Sequence, residues 1–278
     1  RVSVHACPKF VPGGRRVMAR SIVKNWVGSL SLVAFGFFAT FASAFAQEKR
    51  PVVYLAPIEG VIDLGLAPFV QRVLNEAADA GAAAVVLEIN TFGGRVDAAV
   101  LIRDALLNAR VRTIAFVNKR AISAGALISL SAENLVMAGG GTIGAATPVQ
   151  MGQPGAAVQP VAEKTVSYMR KEFRATAESR KRPPLLAEAM VDADVEIPGV
   201  IEKGKLLTLT TEEALKHKLA DFRADTIESA LENLGIRGAE LRRASPNWAE
   251  NLVRFLTHPV LSSLLMTIGM LGIVVGLR

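Results

Sequence analysis

The chain has 278 residues, 51% of them hydrophobic, and a formal charge of +7. The charge belongs to one end: residues 1–46 hold six Lys/Arg and no Asp/Glu, leaving 26 of the 32 cations against 25 carboxylates. A near-neutral remainder removes the main support for a nucleic-acid binder. With Cys7 the only cysteine, no disulfide, thiolate nucleophile or cysteine metal ligand is available after the leader.

In chain order, Met18 to Lys24 is a positive segment, Trp26 to Phe41 is apolar and uncharged, and Ala44-Phe45-Ala46 supplies small residues. This reads as a secretory signal over residues 1–46, cleaved before Gln47, with Met18 the expected start. The stretch from Trp26 to Ala46 is also long enough to serve as an uncleaved anchor. From Pro51 the pattern becomes regular. Val52–Leu55 reads as a strand, Pro57–Asp63 as a turn with a second extended piece, and Leu64–Ala80 as a helix ending at Gly81. A strand at Ala84–Ile89 leads through Asn90–Asp97 into a helix to Ala109. Thr113–Val117 is a third strand, a helix runs from Ser123 to about Glu133, and Leu135–Ala138 is a fourth strand.

Gly139–Pro160, rich in Gly, Pro, Ala and Gln, reads as a loop. Val161–Arg182 reads as a helix whose second half carries Arg170, Lys171, Arg174, Arg180, Lys181 and Arg182; such a run is expected as a solvated face, with lipid headgroups the alternative. A short helix at Leu185–Val191, a strand at Leu206–Thr210 and helices opening at Thr211 and Thr226 finish a domain over 47–234. Strands separated by helices imply an α/β fold with a largely parallel sheet. Residues 235–259 read as a linker with an amphipathic piece (Trp248, Leu252, Phe255, Leu256) at a membrane surface. Residues 260–278 read as a transmembrane helix in a chain that is itself a truncated piece.

Ser123 carries the chemistry. It stands where a strand gives way to a helix among side chains too small to cover it, where free N–H groups favour negative charge. Helix N-capping is the plainer reading. A serine nucleophile needs a base. Of the three histidines, His5 is in the leader, His258 adjoins the apolar helix, and His217 is late in the Thr211 helix. The base is therefore expected to be a lysine whose pKa burial can lower. Lys119 flanks a strand and Lys171 sits among charges. Lys164, beside Val161, Thr165 and Tyr168, is the favoured candidate. Gly93-Gly94 offers an uncovered N–H which, with that of Ala124, could form an oxyanion hole; a structural turn is the alternative.

Asn90-Thr91-Phe92-Gly93-Gly94-Arg95-Val96-Asp97, Ile122-Ser123-Ala124-Gly125, Met137-Ala138, Gly141-Thr142-Ile143-Gly144-Ala145-Ala146 and Lys164 together resemble the NfeD family of membrane-bound serine proteases. The resemblance covers about Val52 to Asp221 and implies a ClpP/crotonase-like fold. It also implies a Ser-Lys dyad on Ser123 and Lys164 and oxyanion donors on Gly94 and Ala124 beside Gly93. The implied substrate is a hydrophobic segment of a membrane protein, with a stomatin-like protein as partner. Two departures stand out: Phe92 replaces a common Pro, and the chain ends at its first post-catalytic apolar helix. The reading needs no cofactor or metal. It expects a homodimer on the lipid bilayer with the catalytic domain extracytoplasmic. A catalytically inactive scaffold for stomatin-type assemblies and a crotonase-like acyl-CoA enzyme are the rivals.

Overall fold

A computed structural model of the chain describes residues 50–149, 162–257 and 259–276. The signal expected over 1–46, the second half of the Gly139–Pro160 loop and His258 lie outside these residues. From Val52 the chain alternates β1 (Val52–Ile62), α1 (Leu66–Asp79), β2 (Ala84–Gly94), α2 (Val96–Leu107), β3 (Thr113–Ile122), α3 (Ala124–Ser131), β4 (Asn134–Met137) and β5 (Thr142–Gly144). Next come α4 (Glu163–Ser179), α5 (Pro184–Ala189), β6 (Thr208–Thr210), α6 (Thr211–Lys216), β7 (Phe222–Arg223), α7 (Ile227–Asn233) and β8 (Glu240–Arg243). Two further helices follow, α8 (Trp248–Leu256) and α9 (Pro259–Gly276).

The strands form one sheet in the order β6-β5-β3-β2-β1-β8, and β4 and β7 continue from the first half of β3. All pairings are parallel except β5 with β6. The fold is therefore the expected α/β type with a mostly parallel sheet. Strand side chains alternate between faces. Val53, Leu55, Val86, Ile114 and Phe116 pack on one side with Ala230 and Leu231 of α7. Ala56, Ile58, Leu87, Ile89 and Val117 pack on the other with the apolar faces of α1 to α5.

Several elements differ from the sequence reading. The turn expected at Pro57–Asp63 is a bulge inside one long strand: Gly60 has φ +72° and the β1–β2 register shifts between Glu59 and Val61. β2 runs on through Asn90–Gly94, so Phe92 lies in a strand. β5 falls inside the expected loop, paired with Arg120–Ile122, and β8 falls inside the expected linker, paired with Val52–Leu55. Strands this short show no periodicity, and only a neighbouring edge defines them.

Most of the cationic run that begins on α4 is paired, although Lys171 and Lys181 stay exposed as a solvated face would be. Arg170 pairs with Asp192, while Lys171 and Arg174 reach Glu188 Oε1 at 3.1 and 3.2 Å. Arg180 donates to Ser131 O at 2.7 Å and Leu106 O at 2.8 Å, closing the C-terminal ends of α3 and α2. Arg182 is buried against Asp221.

Among the described residues no single helix is long and apolar enough to cross a membrane. The 18 residues of α9 reach about 27 Å at 1.5 Å per residue, against about 30 Å of hydrocarbon. α8 and α9 pass such a test only as a pair, bent by 69°.

Candidate active site

Strands β1, β2 and β3 run parallel, so Ile62, Gly94 and Ile122 end at the same edge of the sheet. Ser123 is the first residue beyond β3 at that edge. Its backbone has φ 55° and ψ −119°, and its side chain makes no capping hydrogen bond to α3. The N-cap explanation for this serine therefore fails. A non-glycine residue at this conformation is strained and persists only where its surroundings impose it. The neighbouring strand supplies part of that constraint, since Ser123 N–H donates to Gly144 O at 2.9 Å. Gly144 itself has φ +138°, and a Cβ there would overlap Leu207 O. The sharp strand-to-helix turn lifts the half-buried Ser123 hydroxyl out of the sheet edge, as a nucleophile requires.

Three glycines allow close approach at and beside it. A Cβ on Gly93, which has φ +109°, would stand 2.6 Å from Ser123 Cβ and 3.1 Å from its Oγ. A Cβ on Gly94 would overlap the backbone of Ile62, its partner across β1 and β2. On Gly125 it would stand 2.5 Å from the Thr91 methyl. Sequence reasoning did not single out Thr91, although it lies in the quoted motif. Its hydroxyl donates to Gly60 O at 2.5 Å and accepts Gly93 N–H at 2.9 Å. That buried threonine ties the β1 bulge, the glycine pair and the serine helix together. Because Gly93 N–H is engaged with Thr91, the role of Gly93 here is close approach to Ser123.

Ala124 is the first residue of α3, where N–H groups have no intrahelical partner. Among the described residues its N–H has no acceptor. Asp97, in the first turn of α2, carries a carboxyl held below its usual range by the Arg95 guanidinium. Phe92 is 73% exposed next to Gly93, and Arg120 stands 4.5 Å over its ring.

Ser123, Gly93, Gly94 and Ala124 are thus brought together; Lys164 is not hydrogen-bonded to Ser123. It lies exposed on the first turn of α4, with no ion-pair or hydrogen-bond partner among the described residues. Arg180 joins the C-terminal end of α4 to that of α3. At 1.5 Å per residue Lys164 lies about 24 Å along α4 from that pin, and Ser123 about 12 Å along α3. Lys171 is ion-paired and Lys119 exposed. His217, the one described histidine, caps the C-terminus of α6.

Residues 52–244 match the family model of the NfeD1b N-terminal domain. The chain belongs to that family. The chain is similar to membrane protein NfeD1b of Bacillus subtilis, at 38% identity over 84% of this chain and 52% of the relative. It is also similar to the membrane-bound protease PH1510 of Pyrococcus horikoshii, at 26% identity over 89% of this chain and 56% of that relative. It thus spans about half the length of these curated relatives. Among solved structures, the 1510-N membrane-bound stomatin-specific protease in complex with a substrate peptide superposes with a TM-score of 0.64. The two are 25% identical, and the match covers 75% of this chain and 99% of that one. A second structure of 1510-N has TM-score 0.61 at 24% identity, covering 71% and 99%, and bears on the fold alone. The NfeD1b N-terminal domain match takes in β8, so it extends beyond the boundary expected at residue 234.

Proposed function

We propose that this NfeD-family chain is a membrane-tethered, ClpP-class serine endopeptidase. The observation that carries the reading is Ser123 itself. It is a serine held at φ 55° without a capping bond, with Ala124 N–H unpartnered beside it and Gly93 leaving its approach clear. Ser123 Oγ attacks a peptide carbonyl and gives its proton to the Lys164 amine. The N–H groups of Gly94 and Ala124 hold the oxyanion, Lys164 returns the proton to the leaving amine, and water then releases the acyl group. Because Lys164 stands clear of Ser123, the first turn of α4 must close onto the site when a peptide binds. Catalytic hydrogen bonds often tighten only in the complex.

The substrate proposed is a hydrophobic segment of a membrane protein, with a stomatin-like protein as partner. The names of the protease PH1510 and of the peptide-bound 1510-N structure favour this assignment. The remaining parts of the proposal are a cleaved signal at 1–46, a span beginning at residue 260, an extracytoplasmic catalytic domain and a homodimer.

The test is hydrolysis of an apolar peptide by the whole chain in vesicles. Ser123→Ala and Lys164→Ala should each abolish turnover while leaving the thermal transition in place. Turnover surviving Ser123→Ala overturns the nucleophile, and turnover surviving Lys164→Ala overturns the base.

A further inference from the structure

Helix α8 is packed inside out. A surface helix ordinarily turns its apolar stripe to the core. In α8 the residues facing α1 and the turn before it are instead Glu250 and Arg254, one turn apart. Glu250 is the helix's one buried residue. It accepts Arg72 Nε at 2.7 Å and Nη2 at 2.9 Å, and Asn247 N–H at 2.7 Å. Arg254 Nε donates to Asp63 Oδ2 at 2.9 Å. Contact is close enough that a Cβ on Gly65 would overlap the Arg254 side chain and stand 2.7 Å from Glu250 O. The opposite face carries Trp248, Leu252, Phe255 and Leu256, exposed by 79, 46, 62 and 45%.

What covers that face is indicated by its continuation. Between Arg254 and Arg278 the sequence holds no Lys, Arg, Asp or Glu, and α9 exposes Leu, Ile, Met and Val around its circumference. A second copy of a globular domain could cover one stripe, but a helix apolar all round requires an apolar medium. The 69° bend between the two helices is the turn needed to pass from lying in a lipid surface to entering it.

We propose that α8 is a rigid interfacial anchor, with Trp248, Leu252, Phe255 and Leu256 in the lipid and its charged face clamping the catalytic sheet to the membrane. The clamp fixes the position of the site. Asp63 follows Ile62, which is in register with Gly94, and Gly93 touches Ser123. Two parallel-strand spacings, about 10 Å, separate the clamped strand from the serine's strand. A site held to a lipid-seated helix takes a peptide segment that lies near the bilayer surface. This last clause rests on the protease reading; the anchor does not.

The test uses the whole chain with Trp26→Phe, which leaves Trp248 as its only tryptophan. It is reconstituted in phosphatidylcholine–phosphatidylglycerol vesicles containing lipids brominated at set depths. An interfacial helix buries its apolar face about 5–10 Å. Bromines near the glycerol end of the acyl chains should therefore remove most Trp248 emission, and bromines near the methyl end little. Emission untouched by either, or tracing by crosslinking to a second copy, overturns the anchor. In a Cys7→Ser background, a dye on Phe92→Cys reports its distance to an acceptor in the lipid headgroups by energy transfer. Adding Gly65→Ala should leave Trp248 quenched yet lower and broaden that transfer; unchanged transfer overturns the clamp. Neither readout needs turnover, so an inactive Ser123 would leave both in place.

Discussion

Gly93 stands against Ser123 so closely that the smallest side chain would displace the hydroxyl. A Cβ there would be 2.6 Å from Ser123 Cβ, and the backbone sits at φ +109°. Gly93→Ala should therefore cost about 1–3 kcal/mol of stability and abolish turnover in the fraction that remains folded. Gly60→Ala is the control. Gly60 also has positive φ, +72°, but a Cβ there meets nothing within 4 Å. It should show a similar loss in thermal melts with activity retained. Equal activity losses in the two variants would mean that strain, not crowding of Ser123, is what matters at position 93.

The serine's own conformation leads to an opposite pairing of stability and function. At φ 55° and ψ −119° Ser123 carries strain that glycine would not. Relief of about 1–3 kcal/mol is partly offset by the greater freedom of an unfolded glycine, about 0.4–1 kcal/mol. Ser123→Gly should thus be net stabilised by about 1 kcal/mol, raising Tm by about 2–4 °C for a domain of this size. Turnover should vanish. A melting temperature below that of the parent would refute stored strain at this position.

Long apolar runs made the sheet legible from sequence: Ala84–Ile89 and Thr113–Val117 read as strands because four or more buried residues follow one another. β5 and β8 were not, because Thr142–Gly144 and Glu240–Arg243 become strands only where Arg120–Ile122 and Val52–Leu55 offer them an edge. At the site, the serine was legible from its place between a strand and small residues. The threonine was not, because nothing in the sequence distinguishes a buried Thr91 that bridges Gly60 and Gly93 from any other strand threonine. Lys164 was favoured for apolar neighbours in the sequence, yet it lies exposed on the first turn of α4. The polarity of α8 was legible as a pattern, while which side faced the domain was settled only by Arg72 and Asp63, far away in sequence.

Arg180 illustrates how a charge run can mislead. Its guanidinium closes the ends of α2 and α3, and burial lowers its pKa. Arg180→Ala leaves Leu106 O and Ser131 O without that donor, a loss of about 2–3 kcal/mol for charged hydrogen bonds. Tm should fall by about 4–12 °C. Arg180→Lys keeps the charge but not the fork that reaches two carbonyls, so it should recover only part of the loss. A melt unchanged by Arg180→Ala would return this residue to the solvated face.

The docking of α8 should depend on acid. Arg72 holds the Glu250 carboxyl below its ordinary value of 4.5, assisted by Asn247 N–H. A carboxyl whose docked pKa is depressed contributes its full stabilisation above the undocked value and loses it as pH falls through the docked one. The other charged groups at the contact are Glu76, also bonded to Arg72, and the Asp63–Arg254 pair. Energy transfer from the Phe92→Cys dye to the lipid headgroups and protease sensitivity near Ser245 should report constant docking at neutral pH and release of α8 as pH drops below 4.5. Glu250→Gln should weaken docking at neutral pH and flatten the acid step, because the titrating partner of Arg72 is gone. An acid step of unchanged size in Glu250→Gln would remove Glu250 from the clamp.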